Sequence, residues 1–252
     1  MNDQKSGIDG QMYAVSAHPC STDNLQDDFI SCVAHELRTP VAILRGSLEA
    51  LCDGAVTDKQ QTDEYYRQML SESIYLQRLV SDLLDFSRLR NTEFSIAMEP
   101  VCVTDVLDDV YRGFRHIADQ KGISIEKKYD SGTYVINGDY GRLRQMFAAV
   151  ADNAVKFTPY GGNVQVKLSQ SGDSFMVHIS DTGCGIAENE ISDIFTKFHR
   201  RMSDDNSSGT GLGLAITNSI ASRHCVSINV KSSPGCGTDF CFDFSKAQRI
   251  DV

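Results

Sequence analysis

The sequence lacks the marks of a membrane or secreted protein. No stretch of its 252 residues approaches the roughly 20 consecutive apolar residues of a membrane-spanning helix. The first residues contain no apolar segment of the kind found in secretion signals. The eight cysteines form no Cys-x-x-Cys pair and no zinc-ligand spacing. Because a chain of this length does not need disulfides for a stable core, we expect reduced thiols, no membrane segment and a cytoplasmic location.

Positive charge is also scarce, since 24 Lys and Arg face 34 Asp and Glu for a net charge of −10. That balance argues against a nucleic-acid partner, whose phosphates attract basic surfaces. The sequence contains no GxxxxGK[ST] loop, and Gly209, Gly211 and Gly213 have the spacing GxGxG rather than GxGxxG. It therefore predicts neither a P-loop nor a dinucleotide-binding turn.

The length permits one large domain or two modest ones, and the pattern of polar and apolar residues favours two. We expect a flexible tail at 1–24, a helical hairpin at 25–90, a linker at 91–94, a second domain at 95–245 and a tail at 246–252. The fold class is therefore α plus α/β.

The hairpin is predicted from two long amphipathic patterns. The first helix runs from about Leu25 to Cys52 and stops at Asp53-Gly54, and the second runs from about Lys59 to Leu89. Pro40 removes one hydrogen bond inside the first helix, so a bend is expected there. The two helices leave an open apolar face, which predicts a dimeric four-helix bundle. The alternative is that this face packs on the second domain.

One residue of the first helix has the position expected of a nucleophile. His35 lies about 200° around the helix from Val33 and from Leu37 of the apolar stripe, so it is predicted to point into solvent. Thr39 shares its face, and Glu36 is beside it. A surface imidazole next to an acid can act as a nucleophile, although a single exposed histidine is usually an ordinary surface residue.

The second domain is predicted to be a two-layer α/β sandwich. Helical patterns cover Val103–Lys121, Gly141–Phe157 and Leu212–Arg223. Alternating patterns predict strands around residues 164–168, 175–179, 228–230 and 240–244, with a turn at Gly172-Asp173. Helices that share a chain with antiparallel hairpins are typical of this architecture.

Four motifs, HELRTP, DNAVKFTP, DTGCGI and GTGLGL, occur in an order and spacing that carry a family signature. The chain from about Leu25 to Phe244 resembles the catalytic core of the two-component sensor histidine kinases. The resemblance implies an ATP-binding second domain, Mg²⁺, a homodimer and the receiver domain of a response regulator as partner. Most members carry a sensing input domain, and this sequence contains none that is evident, so we expect either a soluble kinase without one or the cytoplasmic portion of a larger sensor.

The resemblance also implies roles for individual residues. His35 would attack the γ-phosphorus, Glu36 would orient the imidazole or take its proton, and Thr39 would serve dephosphorylation of the regulator. Asp181 would accept from the adenine amino group, Asn153 would ligate Mg²⁺, Lys156 would reach the phosphates and Phe157 would pack on adenine. The implied nucleotide site comprises Asn153, Lys156, Phe157, Asp181, Gly183, Gly185, Ile186, Arg200, Gly209, Thr210, Gly211, Leu212 and Gly213.

Two positions depart from the family pattern. Ala149 stands where a second asparagine is usual, which puts one contact on the metal side in doubt. Related ATPases of the gyrase type have a glutamate base there, which Ala149 cannot replace. Cys225 and Val226 replace the usual pair of glycines, and neither adopts a positive φ cheaply, so we expect a different local turn.

Two other function classes stay open at this stage: a non-enzymatic dimeric scaffold whose nucleotide pocket only controls conformation, and an ATPase of the gyrase type. His35 together with the full glycine set argues against the scaffold, and Ala149 argues against the ATPase. Cys184, between two glycines of the implied site, is the cysteine for which we consider a regulatory role, although a small residue tolerated in a tight loop explains it as well.

Overall fold

The structure is a computed structural model of the chain, and it describes residues 13–14, 24–91, 94–172, 174–199, 209–245 and 247. The described residues divide into two compact units. The hairpin unit consists of His18–Arg88 and Lys197–Leu212, and the sheet unit consists of Met1–Ala17, Leu89–Thr196 and Gly213–Val252. The boundary residues proposed from the sequence stay predictions.

The hairpin unit is built on two long helices, α1 (Asn24–Cys52) and α2 (Lys59–Arg90), whose bounds agree with the predicted ones. At the end of α1 the Ala55 N–H donates to the Ala50 carbonyl at 3.1 Å, and Gly54 has φ of 69°. This left-handed glycine is the usual way to satisfy the last carbonyls of a helix. Asp58 accepts from the Gln61 N–H at 3.0 Å and caps the start of α2.

The apolar residues of the hairpin occupy two faces rather than one stripe. Leu79 and Phe86 of α2 are buried, at 0% and 5% exposure, and Phe29 of α1 lies 5.7 Å from the Phe86 ring. Eight large apolar side chains on the two helices stay exposed: Ile30, Val41, Leu48, Tyr66, Leu70, Ile74, Val80 and Leu84. The predicted open apolar face is therefore present, and it is separate from the apolar surface that α1 and α2 bury against each other. No helix among the described residues has an apolar segment long enough for a membrane span.

The sheet unit contains the remaining elements in an order that mixes helices and strands. They are β1 (Tyr13–Ala14), β2 (Glu99–Cys102), α3 (Val103–Gln120), β3 (Ser124–Tyr129), β4 (Val135–Gly138), α4 (Tyr140–Phe157), β5 (Asn163–Ser171), β6 (Ser174–Asp181), α5 (Glu188–Ile191), α6 (Gly213–Arg223), β7 (Ser227–Ser232) and β8 (Thr238–Asp243). One sheet has the order β1-β7-β8-β6-β5-β3, and β2 pairs with β4 in a second. All pairs are antiparallel except β3 with β5.

Alternation along the strands separates the core from an outer face. In β6 the residues Phe175, Val177 and Ile179 are almost completely buried, while the residues between them are half-buried. Phe147 of α4 packs edge-on against Phe242 of β8, with ring centroids 5.0 Å apart. One face of the sheet therefore packs on helices, which confirms the predicted two-layer sandwich.

The sequence patterns missed the short and polar elements. The strand β3 reads SIEKKY, which lacks an apolar alternation because it lies at the edge of the sheet. The strands β2 and β4 have four residues each, too few for a pattern. Tyr13–Ala14 falls in the segment predicted to be a flexible tail, yet it pairs with Asn229 and Val230 of β7.

The turn after α6 corrects the expectation that the local backbone differs there. Cys225 has φ of 56°, its N–H donates to the Ser222 carbonyl at 3.2 Å, and the Val226 N–H donates to the Ala221 carbonyl at 2.9 Å. These are the two bonds of the turn that normally has glycine in Cys225's place. The turn is retained, and the cysteine adopts a conformation that costs about 1–2 kcal/mol for a residue with a Cβ.

His224 fixes this turn to the start of α4. The Nδ1 atom of the buried imidazole lies 2.8 Å from the Ile220 carbonyl oxygen, and the Nε2 atom accepts from the Asp139 N–H at 3.0 Å. Both bonds together require the neutral ring with its proton on Nδ1. Burial lowers the pKa of His224, so its stabilisation is complete above about pH 6.5 and is lost as the pH falls below that value.

We expect Cys225→Gly to raise the free energy of unfolding of the sheet unit by about 1 kcal/mol, because glycine adopts the positive φ without strain. The measurement is chemical denaturation followed by circular dichroism. Gly54→Ala is the matched control, since a Cβ there meets no atom within 4 Å and only the backbone conformation is penalised. It should lower stability by a similar amount. A Cys225→Gly variant that is less stable than the parent would contradict the strain argument.

Candidate functional site

The loop after β6 places a buried carboxylate beside a glycine. Asp181 ends β6 with 8% exposure, and its Oδ1 accepts from the Gly183 N–H at 2.8 Å. A Cβ atom at Gly183 would lie 2.6 Å from the Phe157 carbonyl oxygen. Only glycine therefore lets the loop approach the end of α4 this closely.

A second glycine closes the loop from the other side. Gly185 has φ of 69°, and a Cβ there would overlap the Ser233 carbonyl group of the loop between β7 and β8. The neighbouring Ile186 N–H donates to the Ser232 hydroxyl at 2.8 Å, and the Gly235 N–H donates to the Cys184 carbonyl at 2.8 Å. The backbone of this loop is thus fixed from two sides, and Cys184 is an exposed residue in it.

The environment of Asp181 disfavours its charge. Burial raises the pKa of Asp181 to about 6, and N–H groups of Gly183 and Thr238 oppose that rise. Below that pH the carboxyl group becomes a proton donor. Near neutral pH it is a buried carboxylate that can accept a hydrogen bond from a ligand.

The last turns of α4 present three further predicted site residues. Asn153, Lys156 and Phe157 are all half-buried, and the Lys156 Nζ lies 5.0 Å from the centroid of the Phe157 ring. Lys121 donates to the Val155 and Lys156 carbonyls at this helix end. The sequence did not predict this cap, because the position of Lys121 after α3 does not indicate which helix end its side chain contacts.

The first residue of α6 lies against the middle of α4. A Cβ at Gly213 would be 3.8 Å from the Cβ of Ala149, one turn before Asn153. The structure therefore gathers eight predicted residues of the sheet unit around the end of α4, the loop after β6 and the start of α6: Asn153, Lys156, Phe157, Asp181, Gly183, Gly185, Ile186 and Gly213.

The other glycine-rich residues predicted for the site, Gly209–Leu212, belong to the hairpin unit. The Thr210 hydroxyl donates to the Asp82 Oδ2 of α2 at 2.6 Å, and the Phe198 N–H donates to the Gly211 carbonyl at 2.9 Å. Burial raises the pKa of Asp82, and the bond from Thr210 opposes that rise. Asp82 gave no signal in the sequence, and Arg200 lies outside the described residues.

The surface of α1 carries the predicted nucleophile. The His35 side chain is 75% exposed, and its Nδ1 faces the Glu36 Oε1 at 3.9 Å. The Tyr75 hydroxyl of α2 donates to the other Glu36 oxygen at 3.1 Å. Thr39 is exposed on the same helix. The structure thus confirms the exposure of His35 and adds Tyr75, which the sequence could not reveal because the relative register of the two helices is unknown from it.

Both parts of the chain match described protein families. The family described as "His Kinase A (phospho-acceptor) domain" matches residues 25–92. The family described as "Histidine kinase-, DNA gyrase B-, and HSP90-like ATPase" matches residues 138–248.

The chain belongs to the two-component sensor histidine kinases.

Similar proteins agree with this assignment. The sensor protein SrrB of Staphylococcus aureus (strain N315) is 33% identical over 228 residues, which are 90% of this chain and 39% of SrrB. The histidine kinase AdeS of Acinetobacter baumannii has a TM-score of 0.69 at 25% identity, over 86% of this chain and 98% of AdeS. Full-length ShkA, solved with AMPPNP, has a TM-score of 0.66 at 28% identity, over 89% of this chain and 47% of ShkA. The kinase chain therefore spans about two fifths of the length of its curated relatives.

In this histidine kinase core we expect Asp181→Asn to raise the free energy of unfolding at pH 7.5 by about 2 kcal/mol, because it removes a buried charge whose pKa is raised to about 6. The penalty is full above the folded pKa of about 6 and falls to zero near the unfolded value of 3.8. The gain should therefore shrink as the pH falls from 6 towards 4.

Chemical denaturation at pH 7.5 and pH 4.5 checks the Asp181 prediction. The control is Asp152→Asn, an exposed carboxylate on α4, which should change stability little at either pH. If Asp181→Asn raises the free energy of unfolding equally at both pH values, the buried charge is not the cause of the increase.

Proposed function

We propose that this chain is an ATP-dependent protein histidine kinase that phosphorylates His35 and passes the phosphoryl group to an aspartate of a response regulator. One observation carries the proposal: His35 is an exposed imidazole beside a carboxylate that Tyr75 holds, in a chain whose sheet unit presents a glycine-lined, buried acceptor at Asp181.

The position of His35 beside Glu36 suggests a role for each ring nitrogen. In the proposed reaction Nδ1, which lies 3.9 Å from the Glu36 Oε1, carries the ring proton, and Nε2 presents its lone pair away from the acid. In the proposed step Nε2 bonds to the γ-phosphorus while the bond from that phosphorus to the bridging oxygen of ADP breaks. The Nδ1 proton passes to Glu36 as positive charge develops on the ring. Tyr75 keeps the carboxylate in place, so it is a positioning residue.

The sheet unit provides the groups that an adenine nucleotide requires. Asp181 is a buried acceptor for the adenine amino group, and Gly183 and Gly185 let the loop around it pack closely on the Phe157 and Ser233 carbonyls. Phe157 offers an apolar surface, and Lys156 a cation for the phosphates. The roles of Gly209–Leu212 and of Arg200 stay predictions from the family resemblance.

The residues present also fit a Mg²⁺ ion bound with the nucleotide. Asn153 offers a neutral amide oxygen on a half-buried turn of α4, and Mg²⁺ in such sites takes few protein ligands beside phosphates and water. Ala149 provides no second ligand. The metal would neutralise phosphate charge during transfer.

The hairpin is proposed to form a homodimer. Eight large apolar side chains stay exposed on α1 and α2, and a surface of this kind rarely remains open to water. A second copy would cover it in a four-helix bundle.

We further propose that Thr39 acts in dephosphorylation of the regulator. It is exposed one turn after His35 on the same helix face, and its hydroxyl would hold a water beside a docked phospho-aspartate. Its hydroxyl is not required for the attack of His35 on ATP.

His35→Gln should take up no phosphate from γ-labelled ATP, while folding and nucleotide binding persist, because the side chain lies on the surface. The parent should give a label that is lost in acid and stable in base, as expected of a phosphoramidate. His116→Gln is the matched control, since His116 is also exposed on a helix, and it should label normally. Release of free phosphate without labelling of the protein would favour a gyrase-type ATPase. The absence of both free phosphate and labelled protein would favour a scaffold.

Thr39→Ala should leave autophosphorylation within a few-fold and slow the loss of phosphate from the regulator by about 10-fold or more, the scale for a lost positioning group. Both rates are measured with a purified cognate regulator. Thr39→Ser keeps the hydroxyl and should restore dephosphorylation. Unchanged dephosphorylation in Thr39→Ala would assign the reaction to another residue.

A further inference from the structure

The outer face of the sheet carries a cluster of three chemically reactive side chains that the proposed kinase function does not use. His178 of β6 is the direct partner of Cys241 on β8, and Asp239 lies two residues before Cys241 on the same face. The residues that lie between them along the strands point into the core. The cluster is therefore separated from the nucleotide-site residues by the thickness of the sheet.

The three side chains are connected in a fixed order. The His178 Nδ1 lies 3.0 Å and 3.2 Å from the two carboxylate oxygens of Asp239. The other ring nitrogen, Nε2, lies 3.7 Å from the Cys241 sulfur. Since the carboxylate receives the Nδ1 proton, the imidazole presents Nε2 to the thiol. A carboxylate, an imidazole and a thiol in this sequence are the arrangement that stabilises a thiolate.

Neighbouring strands contribute charges to the same face. Lys167 of β5 is the direct partner of His178, and Lys231 of β7 is the partner of Asp239. On β7 the partner of Cys241 is the neutral Asn229, while Asp243 lies two residues further along β8. Two lysines therefore add positive potential around the thiol, and the acids Asp239 and Asp243 oppose them. Asp239 is already engaged by His178.

We propose that Cys241 is a modification site whose sulfur, held beside the His178 imidazole, reacts with small electrophiles and with peroxides. The pKa of His178 is raised to about 10, first by its hydrogen bond with Asp239 and next by that with Cys241. The ring is therefore charged at neutral pH, which is the state that stabilises a neighbouring thiolate. Cys241 is nearly buried, with 7% exposure, so we expect small reagents to reach it and bulky ones not to.

The reaction with hydrogen peroxide needs no further reactant. The Cys241 sulfur attacks one peroxide oxygen, an S–O bond forms and the O–O bond breaks. The departing hydroxide takes the Nε2 proton of His178 and leaves as water. Cys241 is oxidised to the sulfenic acid, peroxide is reduced, and His178 becomes neutral. Without a nearby proton donor the leaving oxygen would depart as hydroxide, which is slower.

The competing explanation is that the cluster only links β6 to β8. The pH dependence of alkylation separates the two, because a linking role does not alter the protonation of sulfur. The experiment treats the intact folded chain with iodoacetamide between pH 5.5 and 8.5 and measures the rate at each cysteine by mass spectrometry of its peptide. Cys32 and Cys52, both exposed, are internal references whose rates should fall about 10-fold per pH unit below their pKa.

Cys241 should instead lose reactivity less steeply than Cys32 as the pH falls, because a charged imidazole beside the sulfur favours the thiolate. In His178→Gln it should adopt the slope of Cys32, and Asp239→Asn should move it in the same direction. A Cys241 slope equal to that of Cys32 in the parent chain would overturn the proposal, as would a slope that His178→Gln leaves unchanged or an absence of labelling at every pH. If a variant does not fold, the pH dependence of Cys241 alkylation in the parent chain tests the proposal by itself.

A second measurement tests the oxidation step directly. After brief treatment with hydrogen peroxide and trapping with dimedone, Cys241 should carry most of the sulfenic acid adduct. His178→Gln should reduce that adduct by about 10-fold, the scale of a lost acid or base. Preferential trapping at the exposed Cys184 or Cys236 would contradict the proposal.

Discussion

The candidate nucleotide site depends on the close approach of two loops, one after β6 and one between β7 and β8. No side chain fits at Gly185 beside the Ser233 carbonyl, and none fits at Gly183 beside the Phe157 carbonyl. This contact directs the Gly183 N–H towards Asp181 and buries its carboxylate. The buried Asp181 carboxylate, the backbone at Gly183 and the end of α4 are therefore held together by close backbone packing.

The same unit accepts local costs in order to keep this geometry. Asp181 is charged near neutral pH although burial opposes that charge, and Cys225 adopts a positive φ at the end of α6. The helix that Cys225 ends begins at Gly213, against α4. The aromatic core of Phe147, Phe175, Phe242 and Phe244 supplies the packing that offsets such costs. Strain at the site is tolerable because the core beneath it is large.

The sequence predicted the elements whose residues repeat with a clear period, and it could not predict those that depend on distant partners. Both long helices, and strands such as Ser174–Asp181, follow their apolar patterns. The edge strand Ser124–Tyr129 does not, because it lies at the edge of the sheet, where most of its side chains are exposed. Tyr75 and Lys121 act through contacts set only by tertiary register. The turn at Cys225 was wrongly expected to differ, since two backbone hydrogen bonds there outweigh the preference of one residue.

The two faces of the sheet are not electrically independent, and Asp239 connects them. Its charge contributes to the raised pKa of Asp181, after burial as the principal cause. On the outer face the same carboxylate is hydrogen-bonded to His178. A charged imidazole there offsets part of the Asp239 charge that Asp181 experiences, whereas loss of that proton leaves the full negative charge beside the strand. Asp239 therefore links the charges on the two faces through the thickness of one sheet, without any movement of the backbone.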